Sequence, residues 1–255
     1  MAPDTIALLV AGSFVTGLLG GVLGVGGGVF LVPFLVFAAG LPARQAVAVS
    51  LCCVIGTSAA ASRAAARTGA ARLDLALTLE PALVIGAVAA SSVAAHVADN
   101  AVLVGFAALM AVMIGLMNVR RRAALEGEPP PLTPGRRMAL AVAAGASGAA
   151  SGLFGVGGGV LVVPALTLIG RLPLKTAATT SSLALMTSAA CGGMVYLAHG
   201  LLPPSIVAVA LLGVLPGGFL GSRLQRRLPD TVMLGLFTAL AAVVIGLSLW
   251  RGLQS

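Results

Sequence analysis

Apolar residues form long runs along this chain, and short polar stretches separate them. Runs near 20 residues recur, about the length that a helix needs to cross a hydrocarbon core of about 30 Å. The pattern predicts ten apolar helical segments. They are 5–23, 27–39, 45–62, 76–92 and 101–119, then 138–154, 158–170, 176–197, 206–222 and 231–250. We therefore expect an all-α polytopic membrane protein, with the lipid bilayer as its surroundings.

The composition supports a membrane protein. Apolar residues make up 59% of the chain and charged residues 9%, whereas a soluble domain carries about 25% charged residues. The net charge is +8, but the basic residues lie in short clusters between apolar runs, as in proteins oriented by their positive loops. No basic face is interleaved with aromatic residues, so we expect no nucleic-acid partner.

The second half of the chain repeats the first at an offset of 131 residues. Gly20–Pro33 matches Ser151–Pro164 at nine of fourteen positions, and Leu41-Pro42 falls on Leu172-Pro173. The sequence predicts two homologous helical repeats, 1–120 and 138–255, joined by a cytoplasmic linker over 121–137. Each repeat is expected to contain a glycine-broken helical hairpin followed by three transmembrane helices.

The distribution of basic residues predicts the topology. If the glycine block reverses the chain, 13 of the 15 lysines and arginines lie on the inner side. If the first two segments form one crossing, the best division is 9 inside and 6 outside. The loop at 93–100 has no Lys or Arg, whereas its counterpart at 223–230 has three arginines. We therefore predict inverted repeats, an arrangement typical of alternating-access transporters.

The glycine blocks are the predicted binding site. Paired glycine breaks in apolar segments indicate the substrate site of many transporters. Glycine leaves its amide exposed, and the helix that follows offers unpartnered N–H groups and a dipole that favour an anion. The alternative is close helix packing without a ligand. The candidate residues are Gly24, Gly26, Gly27 and Gly28, with Gly155, Gly157, Gly158 and Gly159.

Hydroxyl groups in the following helix of each repeat are the second set of candidates. Such hydroxyls either bind an oxyanion or bond back to helix carbonyls. The predicted members are Ser50 and Thr57, with Thr180, Ser181 and Ser182. Glu80 is the one carboxylate inside an apolar segment, and it serves either proton coupling or interfacial solvation. Arg44 and Lys175 either guide an anion or are simple loop charges.

Other chemistry is not indicated by the sequence. We find no His/Cys/Asp cluster for a metal, so neither a metal nor a cofactor is expected. His96 and His199 fall near outer loop ends, where we expect them to be solvated. No acid, base and nucleophile set lies in the apolar segments, so we expect no catalytic residues.

The doubled glycine motif resembles a known family. Gly-x-Leu/Phe-Gly-Val-Gly-Gly-Gly-x-x-x-Val-Pro occurs at Gly21–Pro33 and Gly152–Pro164, each followed by Leu-Pro and then by Ser50-Leu51 or Ser182-Leu183. This pattern is similar to that of the TauE/SafE membrane permeases. The resemblance implies a permease of the bacterial inner membrane for sulfite, thiosulfate or an organosulfonate such as sulfoacetate.

The leading functional hypothesis is a secondary transporter for such an anion, by alternating access between the repeats. An anion channel, a membrane scaffold and an intramembrane enzyme are the alternatives, and homo-oligomerisation is left open. A scaffold would tolerate alanine in both glycine blocks, whereas a transporter would not.

Overall fold

The computed structural model describes residues 3–23, 26–66, 71–94, 96–122, 133–225 and 227–229, with isolated positions between 232 and 246. These residues form nine α-helices and no strand, so the all-α prediction is confirmed. The N-terminal half has α1 Pro3–Leu23, α2 Gly28–Phe37, α3 Ala43–Ala66, α4 Leu73–Ala94 and α5 Asp99–Arg122. The C-terminal half has α6 Pro134–Phe154, α7 Gly159–Leu168, α8 Leu174–Ala198 and α9 Pro204–Gln225. Most of the tenth predicted segment, 231–250, lies outside the described residues.

Seven of the described helices are long and apolar enough to cross a membrane. Their exposed side chains are largely apolar, and Leu77, Ile85 and Met194 are 66%, 70% and 69% exposed. Such exposure suits lipid contact, whereas a soluble protein rarely leaves large apolar patches uncovered. The protein is therefore a multi-pass membrane protein.

The two remaining helices, α2 and α7, are too short to cross. Each has 10 residues, which gives about 15 Å at 1.5 Å per residue. A Cβ atom added to Gly12 of α1 would fall on the ring of Phe34 of α2, and one added to Gly20 would fall on Gly27. Residue numbers rise along α1 as they fall along α2, so the chain reverses between the two helices.

The central helices α3 and α8 run in opposite directions. At one end, Arg44 near the start of α3 bonds to Asp99, and His96 in the same loop contacts His199 just after α8. At the other end, the backbone N–H of Arg72, beyond α3, donates to the hydroxyl of Thr180 near the start of α8 at 3.1 Å. Since α3 and α8 occupy corresponding places in the predicted repeats, their antiparallel course is the one that inverted copies require. The duplication itself stays a prediction.

Glycines bring α9 against α1 backbone to backbone. Gly213, Gly217 and Gly221 follow one another at intervals of one helical turn. A Cβ atom on each would fall on a carbonyl oxygen of α1, at Val10, Phe14 and Leu18 respectively. Small residues in this spacing allow membrane helices to pack closely. Residue numbers rise together along both helices, so α1 and α9 are parallel.

The same arrangement joins α6 to α4. A Cβ atom on Gly148 or Gly152 would fall on the carbonyl oxygen of Leu83 or Ala87. Each half thus contributes its first helix to a glycine-lined contact with the fourth helix of the other half. The halves are interlocked by these reciprocal contacts, and α1 and α6 each lead into a glycine block.

Candidate functional site

The glycine blocks have matching backbone conformations. Gly26 and Gly27 have φ angles of 81° and 78°, and Gly157 and Gly158 have angles of 75° and 72°. These positive values suit glycine because a Cβ atom would clash with the backbone. The short helices begin directly afterwards, at Gly28 and Gly159. We call residues 26–28 and 155–159 the first and second glycine turns. Gly24, also predicted for the site, lies outside the described residues.

The two glycine turns meet in the interior of the protein. A Cβ atom added to Gly28 would fall on the carbonyl oxygen of Gly155 and lie 3.0 Å from the carbonyl carbon of Val156. Added to Gly26 or Gly157, it would lie 3.0 or 2.7 Å from Cγ1 of Val54. All of these glycines are buried. One side chain of α3 therefore touches both turns.

The meeting point lies halfway along the central helices. Val54 is at the midpoint of α3, which covers Ala43–Ala66. Leu185 is at the midpoint of α8, and its Cδ2 atom would be 2.8 Å from a Cβ atom added to Gly158. The hydroxyl of Ser147 in α6 donates to the carbonyl oxygen of Gly158. Midway along spanning helices is where many transporters bind their substrates.

Two predicted hydroxyls hold the glycine turns in place. The Ser50 hydroxyl donates to the carbonyl oxygen of Gly155 at 2.6 Å. The Thr57 hydroxyl lies 2.7 Å from the carbonyl oxygen of Gly26. A hydroxyl has a single hydrogen to donate, so Ser50 already uses its hydrogen on the second turn. The Thr57 hydroxyl also lies 3.1 Å from the carbonyl oxygen of Val54 in its own helix, and the carbonyl of Gly26 is the nearest of its acceptors. In this structure Ser50 and Thr57 position the candidate site.

The predicted hydroxyls of α8 have three different environments. Thr180 accepts from the backbone N–H of Arg72, and Ser182 donates to the carbonyl of Ala178 at 2.9 Å. The hydroxyl of Ser181 is buried and has no hydrogen-bond partner. Ser181 precedes Leu185 by four residues and so shares its face of the helix. Of these three, Ser181 is therefore the best candidate to donate to a ligand.

Two further buried hydroxyls have no hydrogen-bond partner among the residues that the structure describes, and the sequence analysis missed the first of them. Ser151 lies in the last turn of α6, just before the second glycine turn, and its hydroxyl is unpartnered. Ser58 in α3 is likewise fully buried and unpartnered. A buried unpaired hydroxyl costs about 1–3 kcal/mol. Serines in apolar helices were the available signal, but it does not separate free hydroxyls from those bonded to helix carbonyls.

Tyr196 is a second residue that the sequence analysis missed. Its side chain is fully buried in α8, and its hydroxyl donates to the carbonyl oxygen of Gly152 at 2.8 Å. A lone tyrosine in an apolar helix, which needs a partner when buried, was the available signal. Tyr196 ties α8 to the end of α6, three residues before the second glycine turn.

The predicted charged candidates lie away from the glycine turns. Glu80 is half-buried in the second turn of α4. Arg44 forms a 3.2 Å ion pair with Asp99, whose carboxylate also accepts from the Arg44 backbone N–H at 3.0 Å. This pairing favours the structural alternative for Arg44 over guidance of an anion.

A cavity of about 640 Å³ lies at the C-terminal end of α9. Its lining comprises Leu18, Leu220, Arg223, Leu224 and Arg227. The two arginines make this cavity attractive to anions. In the ranges that the structure describes, no group of three or more His, Cys, Asp and Glu residues is placed to hold a metal ion.

Known proteins similar to this chain are membrane transporters by name. A family model described as "Sulfite exporter TauE/SafE" matches residues 9–249. A "Probable membrane transporter protein" of Xylella fastidiosa (strain 9a5c) is 30% identical over 263 residues, covering 100% of this chain and 99% of the relative. The "Probable membrane transporter protein YdhB" of Bacillus subtilis (strain 168) is 23% identical, covering 89% of this chain and 93% of its own length. No solved structure matches the chain significantly.

Proposed function

This chain belongs to the TauE/SafE family of membrane transporters, and from that premise we propose that it carries a small sulfur-containing anion across the bacterial inner membrane. Sulfite, thiosulfate and organosulfonates are the proposed substrates. The relatives are named as transporters rather than enzymes. The proposed orientation places the linker at 121–137 in the cytoplasm, in agreement with the distribution of basic residues.

The meeting of the two glycine turns at Val54 is the observation that carries this proposal. Each turn leads directly into a short helix, and the first N–H groups of a helix have no acceptor in a preceding turn. The N–H groups of Phe30 and Leu31 bond to the carbonyl oxygen of Gly27, so the proposed donors are those at the very start of each helix. Two such helix starts, from opposite halves, concentrate N–H donors and positive dipole ends in one buried region. An oxyanion without a strong counter-ion suits such donors.

Hydroxyl donors add to this proposed site. The unpartnered hydroxyls of Ser181 and Ser151 each offer one hydrogen to a sulfonate or sulfite oxygen. A ligand oxygen would satisfy these buried groups and recover part of the free energy that their burial costs. In the cavity beside α9, Arg223 and Arg227 would attract the anion before it reaches the turns.

The proposed mechanism is alternating access around the glycine turns. Because α3 and α8 are antiparallel, the two halves offer similar surfaces to opposite sides of the membrane. Rocking of one half against the other would expose the turns first to one side and then to the other. The reciprocal contacts of α1 with α9 and of α4 with α6 would guide this motion.

Uptake into proteoliposomes tests the proposal. Purified protein is reconstituted, and the entry of labelled sulfite, thiosulfate and sulfoacetate is followed against protein-free liposomes. We expect saturable uptake of at least one anion, accelerated by unlabelled anion inside, as in a carrier that exchanges anions. Linear, non-saturating flux would instead indicate a channel. Absence of flux for all three anions, with folded protein, would overturn the substrate assignment.

Substitutions in the turns separate transport from packing. Leucine at Gly27 or Gly158 should abolish uptake, because it forces a side chain into a left-handed backbone conformation beside the proposed site. Leucine at Gly115, which has no neighbouring atom within 4 Å of an added Cβ, is the control. Each variant must elute as a folded monodisperse protein before its uptake is compared.

A further inference from the structure

The two histidines of the chain come together, although they lie in different halves of the sequence. His96 follows the end of α4 and His199 follows the end of α8. Their ring centroids are 5.6 Å apart, with the ring planes at 88°. Both side chains are exposed. This pair is separate from the glycine turns, and the proposed transport mechanism does not use it.

Both imidazole rings are oriented by the last turn of their helices. The Nδ1 atom of His96 lies 3.1 Å from the carbonyl oxygen of Ser92. The Nδ1 atom of His199 lies 2.8 Å from the carbonyl oxygen of Val195. A carbonyl oxygen only accepts, so Nδ1 carries the hydrogen in each bond. In the neutral ring, Nε2 then has the free lone pair. Metal-binding histidines commonly have this arrangement, with Nδ1–H fixed by a carbonyl.

The separation of the rings fits two ligands of one metal ion. A metal–nitrogen bond of about 2.1 Å and about 1.1 Å from nitrogen to ring centre put each centroid about 3.2 Å from the ion. At a tetrahedral angle the two centroids would then be about 5.2 Å apart, close to the 5.6 Å observed. Both side chains are exposed, so each has room to rotate until its Nε2 atom faces the ion.

Imidazole nitrogen determines which ions such a pair would take. Nitrogen donors suit Ni²⁺, Cu²⁺ and Zn²⁺ and disfavour Ca²⁺ and Mg²⁺. The nearby carboxylate of Asp99 is bonded to Arg44. No third His, Cys, Asp or Glu completes the site within the described part of the chain, so water would fill the other positions.

We propose that His96 and His199 form a two-histidine site for a transition-metal dication, and that the bound ion clamps the end of α4 to the end of α8. Since α4 and α8 belong to different halves, the clamp would restrain movement of one half against the other. Metal binding itself does not depend on the proposed transport function. The effect of the clamp on flux rests on that function.

Calorimetric titration of tag-free, full-length protein with NiCl₂ tests the binding. Wild type should bind one Ni²⁺ per chain, and His96→Gln or His199→Gln should each weaken binding at least about tenfold, since even an outer-shell partner of a metal ligand is worth that much. Ser92→Ala is the matched control, because it keeps the carbonyl that orients His96 and should bind as wild type does. Equal binding by wild type and the double variant His96→Gln/His199→Gln would overturn the site.

Uptake measurements then test the clamp. External Ni²⁺ should inhibit uptake by wild-type proteoliposomes, and His199→Gln should remove the inhibition while keeping uptake without metal. Stoichiometric binding without inhibition would overturn the clamp but not the site. If no anion is transported at all, the proposed function fails, and the titration still decides whether the histidines bind metal.

Discussion

The hydroxyl of Ser50 donates a 2.6 Å hydrogen bond to the carbonyl oxygen of Gly155, 105 residues away along the chain. The bond joins the first half of α3 to the glycine turn of the other half of the chain. A second hydroxyl of α3, Thr57, bonds to Gly26 of the first turn. Helix α3 therefore holds both glycine turns, and its position determines whether the turns meet.

Loss of the Ser50 hydroxyl should weaken the junction between the halves. Ser50→Ala leaves the buried carbonyl of Gly155 without this donor, and we expect a stability loss of about 1–3 kcal/mol together with slower uptake. The apparent Tm in detergent and the initial uptake rate measure the two effects. Ser188→Ala is the control, because the buried Ser188 hydroxyl bonds only a carbonyl of its own helix, that of Leu185. Equal Tm values for the two variants would contradict this role.

Alanine at Gly157 should destabilise the protein more than alanine at Gly40. Both residues have positive φ, 75° and 69°, so both substitutions carry backbone strain of about 1–2 kcal/mol. The Gly157 Cβ would also lie 2.7 Å from Val54 Cγ1, whereas the Gly40 Cβ would meet nothing within 4 Å. Thermal denaturation of the two variants measures the difference. If Gly40→Ala is as damaging as Gly157→Ala, contact with α3 is not the cause.

A double variant isolates the contact between Gly157 and Val54. Val54→Ala removes the two methyl groups nearest the new Cβ. We expect the loss of stability in Gly157→Ala/Val54→Ala to be smaller than the sum of the single losses, by about 0.5–3 kcal/mol, as for residues in contact. If the stability loss of the double variant equals the sum of the two single losses, residues 157 and 54 are not in direct contact.

The glycine contact of α9 with α1 should not tolerate a methyl group. In Gly217→Ala the Cβ atom would fall on the Phe14 carbonyl oxygen and lie 3.0 Å from the Leu18 nitrogen. The helices would have to separate, and overpacking of this kind costs about 1–3 kcal/mol. Gly115→Ala in α5 meets no atom within 4 Å, so it should keep or raise the Tm. A Gly217→Ala protein as stable as wild type would contradict the packing.

Substitution of Glu80 distinguishes a role in proton coupling from simple solvation at the membrane interface. If Glu80 couples transport to protons, Glu80→Gln should remove the stimulation of uptake by a pH gradient but keep exchange of labelled for unlabelled anion. Asp74→Asn is the control, since Asp74 is exposed and paired with Arg72 at 2.7 Å. Gradient stimulation that persists in Glu80→Gln would assign Glu80 to the interface.

Hydrophobic pattern alone predicts most of the fold, because the bilayer fixes how long an apolar run must be. Segment 27–39 contains α2, which covers Gly28–Phe37, and 158–170 contains α7. Helix ends are predicted less well, since helices continue past the apolar run into polar caps. Thr133, whose hydroxyl accepts from the Arg136 N–H at 3.5 Å, precedes such an extension at the start of α6.

The sequence predicts only part of the candidate site. Glycines at 26, 27, 157 and 158 could be predicted to have unusual conformations, because few other residues adopt them. The contacts of Val54 with both turns could not, since they depend on how α3 packs between the halves. Nor could the approach of His96 to His199, because these residues do not correspond under the 131-residue offset and meet only through folding.

Concentration dependence of uptake by Ser181→Ala tests the central claim most directly, because the buried Ser181 hydroxyl has no partner in the protein. Removing it should leave the Tm unchanged or slightly higher. If an anion binds there, KM should rise about tenfold, the equivalent of one lost hydrogen bond of about 1.4 kcal/mol. Ser92→Ala, which removes an exposed hydroxyl bonded to its own helix, is the control and should keep wild-type kinetics. Unchanged KM and maximal rate in Ser181→Ala would contradict an anion site at the glycine turns.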